Sequence, residues 1–220
     1  MAFVLAKRGE RPLRIALAGV GGTGKTLTSL FIARRLAGKD GKVAVIDTEN
    51  ESARLYAEKV EGSFHVNSLV KAGPVEMVAA MDEAQKLEPK VLIIDSSSAE
   101  WQGPGGCLEM ADSLGKFKGW ASVTPLHNAF LSGIQHFPGH VILTVRRKPD
   151  YQVSSSGAPK KIGLAWVQRD SLIYEVDIGL NMEGSDIVTV EKSRLDAPLL
   201  QDATLKRGDL PELFYAAANR

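Results

Sequence analysis

Four short and mainly apolar runs, at 13–18, 43–47, 91–95 and 140–145, punctuate the first two thirds of the chain, each the length of a strand. Between them apolar residues recur at helical spacing. Over 25–36, Leu27, Leu30 and Phe31 alternate with Arg34 and Arg35 on a mixed apolar and basic helix that Gly38 stops. Over 75–87, Val75, Val78, Met81 and Ala84 stand three apart, after a Gly73-Pro74 start signal and before Pro89. A third helix is predicted over 125–136, with Thr124 as N-cap, Pro125 at the first helical position and Pro138-Gly139 beyond its end. Parallel neighbours need crossover connections, so this alternation predicts an α/β fold with a mainly parallel sheet covered by helices.

Past residue 146 the texture changes. The 151–159 stretch is rich in serine and reads as a flexible loop, and 171–180 and 186–190 read as two strands joined through Glu183-Gly184, a β-hairpin in the C-terminal part. From 202 onward the pattern fits either a helix or a loosely held tail. The expected organisation is an N-terminal tail over 1–12, a core over 13–200, and a tail over 201–220 belonging to the same domain.

Composition narrows the class. Of 220 residues, 44% are hydrophobic and 24% charged, and 27 Lys plus Arg against 26 Asp plus Glu leave a formal charge of +1. Disordered and collagenous chains are excluded. One cysteine, Cys107, cannot build a disulfide framework and is expected as a free, buried thiol. No apolar run approaches the ~20 residues of a membrane span. The apolar 2–6 segment precedes Lys7-Arg8, the reverse of a signal peptide, so the expected location is the cytoplasm.

The chemistry concentrates after the first run. Gly19-Val20-Gly21-Gly22-Thr23-Gly24-Lys25-Thr26 satisfies G-x-x-x-x-G-K-[ST] between a strand and a helix, where a merely connecting glycine turn is the rival reading. Glycines let successive N–H groups face phosphate oxygens, and the helix N-terminus adds its positive end. Gly19, Gly21, Gly22, Thr23, Gly24, Lys25, Thr26 and Leu27 are therefore the expected nucleotide contacts, with ATP as ligand. Lys25 is expected on the β and γ phosphates and the Thr26 hydroxyl on Mg2+. The run 91–95 ends on Asp95, a Walker B carboxylate for Mg2+ or, alternatively, a turn cap. Glu49, just past the run 43–47, suits a base for the attacking water.

Glu49 within Ile46-Asp47-Thr48-Glu49, with Leu55-Tyr56-Ala57 after it, resembles the RecA family of recombination ATPases. That resemblance implies a RecA-like P-loop core, Glu49 as catalytic base, and Tyr56 stacked on adenine. Glu191-Lys192-Ser193-Arg194-Leu195-Asp196-Ala197-Pro198 is similar to the RecA segment whose two basic residues reach a neighbouring subunit's ATP site, which implies that role for Lys192 and Arg194. Asp47-Thr48-Glu49-Asn50, Glu100-Trp101-Gln102-Gly103, the 120–127 stretch, Arg146-Arg147-Lys148 and Val167-Gln168-Arg169-Asp170 look like the minimal RecA-core ATPases of bacteriophages, a group that includes single-strand annealing proteins. The chain departs from bacterial RecA in lacking its N-terminal helix and C-terminal domain, in having Thr144 to Arg147 where RecA has a γ-phosphate-sensing glutamine, and in having Ala53 for an adenine-site aspartate.

Between 146 and 169, six basic residues, Arg146, Arg147, Lys148, Lys160, Lys161 and Arg169, face Asp150 alone. With Tyr151 and Trp166 flanking, the 148–165 loop suits single-stranded DNA, with a solvated loop as the plain alternative. The 103–120 stretch is a weaker candidate, and Trp101 and Trp120 are expected to be packed. Phe3-Val4-Leu5-Ala6 has the Phe-x-x-Ala form of a recombinase docking segment, although an edge strand explains it equally. The expected function is an ATP-dependent recombinase or annealing protein that hydrolyses ATP at subunit interfaces of a ring or filament. A cognate single-strand-binding protein is a plausible partner by resemblance. Its rivals are a ring motor or helicase loader, and a nucleotide-gated binding protein with little turnover.

Overall fold

The computed structural model describes residue 5 and residues 11–115, 117–153, 159–184 and 186–219. Phe3 and Ala6 lie outside them. Described strands are β1 Arg14–Gly19, β2 Val43–Asp47, β3 His65–Ser68, β4 Val91–Asp95, β5 His140–Val153, β6 Pro159–Trp166, β7 Ile178–Met182, β8 Ile187–Ser193 and β9 Thr204–Lys206. Described helices are α1 Lys25–Ala37, α2 Pro74–Gln85, α3 Ser98–Gln102, α4 Cys107–Ser113, α5 Gly119–His136, α6 Leu172–Glu175 and α7 Leu210–Ala218. Strand order is β3-β2-β4-β5-β1-β7-β8-β9, with β6 pairing β5 off this path. The first six strands in that order run parallel; β8, β9 and β6 are antiparallel to their neighbours.

Strand side chains alternate between faces, and β1 shows what this does. Ile15 and Leu17 join Val45, Ile93 and Ile142 beneath α1 and α7, which contribute Leu30, Ile32 and Phe214. Ala16 and Ala18 join Ile46, Leu92, Ile94 and Leu143 beneath α2 and α5, which contribute Met77, Met81, Phe130 and Ile134. Both faces are thus covered, as a parallel sheet requires.

Several elements differ from the sequence reading. Helix α5 begins at Gly119, not at Pro125, because Trp120 and Val123 pack on Cys107 and Ala111 of α4 and on Trp101. Pro125 sits inside the helix, where it removes the donor for one turn of the ladder. In α2 the buried stripe is Met77, Ala80, Met81 and Ala84, while Val75 is exposed. The 171–180 stretch divides into α6 and β7, and β3 and β9 come from segments with no strand pattern. Residues 148–153 and 159–165 form an antiparallel β5–β6 hairpin in place of the expected loop, with a bulge between Asp150 and Tyr151. The tail folds: α7 buries Leu210 and Phe214, and Glu212 bonds Arg35 of α1.

Candidate active site

The glycine loop links the end of β1 to α1 at the C-terminal edge of the parallel strands. Gly22 and Gly24 hold φ near +81° and +84°, left-handed values that favour glycine. At Gly19 a Cβ would sit 2.6 Å from Thr23 Oγ1 and 2.7 Å from the Met182 carbonyl, so the loop's first position has no room for a side chain. Lys25 lies back across the loop and donates to the Val20 carbonyl at 2.9 Å. Burial lowers its pKa, against the opposing pull of Asp95 and Glu49.

The register Asp47↔Asp95 brings the ends of β2 and β4 level with each other. Asp95 is buried, and its two oxygens accept from Thr26 Oγ1 at 2.6 Å and from Thr144 Oγ1 of β5. Burial raises its pKa in spite of those two hydroxyls, with Glu49 and Asp47 adding in the same direction. A hydroxyl and a desolvated carboxylate in contact are hard oxygen donors, a set that fits Mg2+. Asp47 is spent on the backbone: it accepts from Glu49 N at 2.7 Å and Ala53 N at 2.9 Å, shaping the turn that presents Glu49.

Glu49 is half-buried. Its Oε1 accepts from Ser96 Oγ at 2.9 Å and Arg146 Nε at 2.8 Å, and Oε2 accepts from Arg146 Nη2 at 2.5 Å. Partial burial opposes ionisation, but Arg146 and Ser96, with Lys25 further off, outweigh it and hold the pKa below the ordinary glutamate value. Arg146 stands midway along β5, the last residue of that strand paired with β1, where it lies beside Gly19. The sequence reading set Arg146 in a basic stretch and in the segment standing where RecA has its γ-phosphate-sensing glutamine, but did not pair it with Glu49; its place on a central strand, level with the glycine loop, was the available signal.

Beside the loop opens a groove of about 1280 Å³, lined in part by Gly24, Leu27, Thr28, Phe31, Val60 and Arg207. Leu27 is thus on its wall. Tyr56 is not among its lining residues; the ring packs against the core under α1, with Lys59 Nζ 5.7 Å from its centroid.

Lys192 and Arg194 are not brought to this site within one chain. Strand β8 runs away from the loop, so Val188 is level with Met182 and Gly19, and Lys192 with Gly179 and Ala16. Lys192 Nζ donates to the carbonyls of Ile173 at 2.7 Å, Tyr174 at 3.2 Å and Val176, and Arg194 Nη2 to Tyr174 at 2.8 Å. Both cap the C-terminal end of α6, a structural use of their charge.

The basic hairpin is divided as well. Arg147 is largely covered, donating to the Leu164 carbonyl at 2.7 Å and lying 3.7 Å from Glu183, so it braces the hairpin. Lys148 is exposed, Arg169 half-buried. Lys160 and Lys161 are placed by backbone on β6, opposite Gln152 and Tyr151. Trp166 is packed: its indole N–H donates to Glu191 at 2.9 Å and a Cβ on Gly179 would come within 3.0 Å of the ring. Trp101 and Trp120 stack on each other with centroids 5.4 Å apart, in line with the expected packing.

Strand, glycine loop and helix, with Thr26 in contact with the carboxylate ending the neighbouring strand, define a P-loop nucleoside-triphosphate-binding core. A family model described as an AAA domain matches residues 11–197, and the chain belongs to that family, an AAA-type P-loop ATPase. A search of curated proteins finds no match. No helix among the described residues is long and apolar enough to cross a membrane.

Proposed function

We propose that the protein is a DNA-stimulated ATPase that binds single-stranded DNA on the β5–β6 hairpin and acts in recombination or strand annealing. The observation that carries this reading is the course of β5. The same strand contributes Thr144 to Asp95 and Arg146 to Glu49, then continues into the hairpin that bears Lys148 and faces Lys160 and Lys161. Basic strands of this kind follow a phosphate backbone.

Thr26 and Asp95 would hold Mg2+, which supplies charge neutralisation on the phosphates. The loop N–H groups and Lys25 bind and orient the β and γ phosphates. Glu49 takes the proton of the attacking water, and its low pKa keeps it ionised for that task. Within one chain Lys192 and Arg194 are engaged at the C-terminal end of α6, so a contribution from either requires a neighbouring copy in a ring or filament. A cytoplasmic, phage-type setting with a single-strand-binding protein as partner is consistent with this reading.

One observation favours a second reading. Glu49 is engaged by a bidentate arginine, and a base so held turns over slowly, as in a nucleotide-gated binding protein. Steady-state ATP hydrolysis with and without single-stranded DNA, over a range of protein concentrations, separates the two. Stimulation that grows with concentration supports the DNA-organised ATPase; a slow rate indifferent to both overturns it in favour of the gated binder.

A further inference from the structure

Behind the Walker B strand lies a second cluster of ligating side chains that the nucleotide site does not use. Glu100 on α3, Cys107 opening α4 and His127 within α5 are fully buried, and their ligating atoms lie within 4.8 Å of one another. Glu100 Oε1 accepts from Cys107 Sγ at 3.0 Å and pairs with His127 Nδ1 at 2.9 Å. Its Oε2 accepts from Gln168 Nε2 at 3.1 Å, and the same amide nitrogen donates to the Ser97 carbonyl at 3.0 Å.

His127 Nε2 is buried with no hydrogen-bond partner. Burial, with the Glu100 carboxylate beside it, pushes the Cys107 thiol pKa up. Among the described residues the one ion-pair partner of the buried Glu100 carboxylate is His127. Arg169 influences Cys107 from a distance but forms no ion pair with Glu100 among the described residues.

We propose that Glu100, Cys107 and His127 form a binding site for a divalent metal ion of the zinc type. The ion displaces the thiol proton to solvent, and its two positive charges are then balanced by one thiolate and one carboxylate with a neutral imidazole as third donor. Sulfur and nitrogen donors select a zinc-type ion over Mg2+. Donors at about 2.0–2.3 Å from a tetrahedral ion stand about 3.5 Å apart, so ligation opens the observed contacts by roughly half an ångström. Gln168 fixes the second carboxylate oxygen, and the Trp101 ring packs edge-on to His127 at 5.4 Å, so carboxylate and imidazole are both oriented. The bound ion cross-links α3, α4 and α5.

The test uses the untagged full-length chain, purified from zinc-supplemented cells and, separately, loaded with Co2+. The expected result is close to one zinc per chain that survives dialysis, and a thiolate-to-cobalt charge-transfer band in the near ultraviolet. Cys107→Ser should lose the band and most of the zinc while still binding ATP. Zinc no higher than in Cys107→Ser, or a cobalt spectrum without a thiolate band, overturns the proposal. Should Cys107→Ser fail to fold, the presence or absence of the band in the unmutated protein decides it.

Discussion

Replacing Arg146 with alanine removes the bidentate contact on Glu49 and leaves the carboxylate with Ser96 and the more distant Lys25 against its own desolvation. The Arg146 side chain is 55% exposed and well screened, so the pair contributes ~0.5–1 kcal/mol and not the several of a buried pair. Its loss raises the Glu49 pKa from its depressed value toward the ordinary one. A carboxylate with a depressed native pKa stabilises the fold above the unfolded-state value, about 4.3, and loses that contribution as pH falls through the lower native value. The Arg146→Ala protein should therefore melt about 1–4 °C below the unmutated protein at pH 6–7, with the gap closing toward pH 3. Thermal unfolding of nucleotide-free protein across pH 3–7 measures this, with Arg146→Gln as a control that keeps a donor without the charge. The acid limb of kcat/KM for ATP should move to higher pH as well. A gap that stays constant with pH would refute the idea that Arg146 holds the Glu49 charge.

Glu49→Gln should bind ATP within a few-fold of the unmutated protein and lower kcat by about 10²–10⁴, read from equilibrium binding and single-turnover hydrolysis. Phe214→Ala empties a fully buried position between α7 and α1 and should cost about 3–5 kcal/mol in denaturant unfolding. Lys160→Ala with Lys161→Ala should reduce the slope of log affinity for single-stranded DNA against log salt by about 1.4, at ~0.7 per phosphate contact. An unchanged slope would remove those lysines from the interface.

The sequence made some of this legible and not the rest, for physical reasons. Parallel strands buried on both faces read as apolar runs, so β2 and β4 are bounded as expected, Asp95 closes β4, and the glycine loop follows β1. Strand β3 pairs only along one edge and shows His65–Ser68, which carries no such run. Thr124-Pro125 has the chemistry of a helix start, yet burial of Trp120 and Val123 against α4 outweighs the local signal. For Lys192 and Arg194 the residue types suited a phosphate, but their place depends on the antiparallel course of β8, which no local pattern encodes. Arg146 shows the reverse: an arginine after a strand looks like ordinary solvated charge until register sets it beside Gly19.

That register also limits how the nucleotide site can speak to the hairpin. Around residue 146 the backbone is tied on both sides: Arg146 N donates to Ser98 Oγ at 2.9 Å, and Val167 N to the Arg146 carbonyl at 2.7 Å. The Ser97 N–H and hydroxyl also both donate to the Thr144 carbonyl, each at 3.0 Å. The guanidinium, by contrast, is mostly in solvent and turns about its own side-chain bonds without disturbing these contacts. Release of Glu49 therefore changes charge at the hairpin root and leaves its backbone in place. An unpaired Arg146 adds one positive charge next to Lys148, within the ~8–10 Å over which exposed charges act at physiological salt. On the proposed reading, the protein's grip on DNA then depends on the Glu49–Arg146 contact through the field at the hairpin, and that dependence should fade as salt is raised.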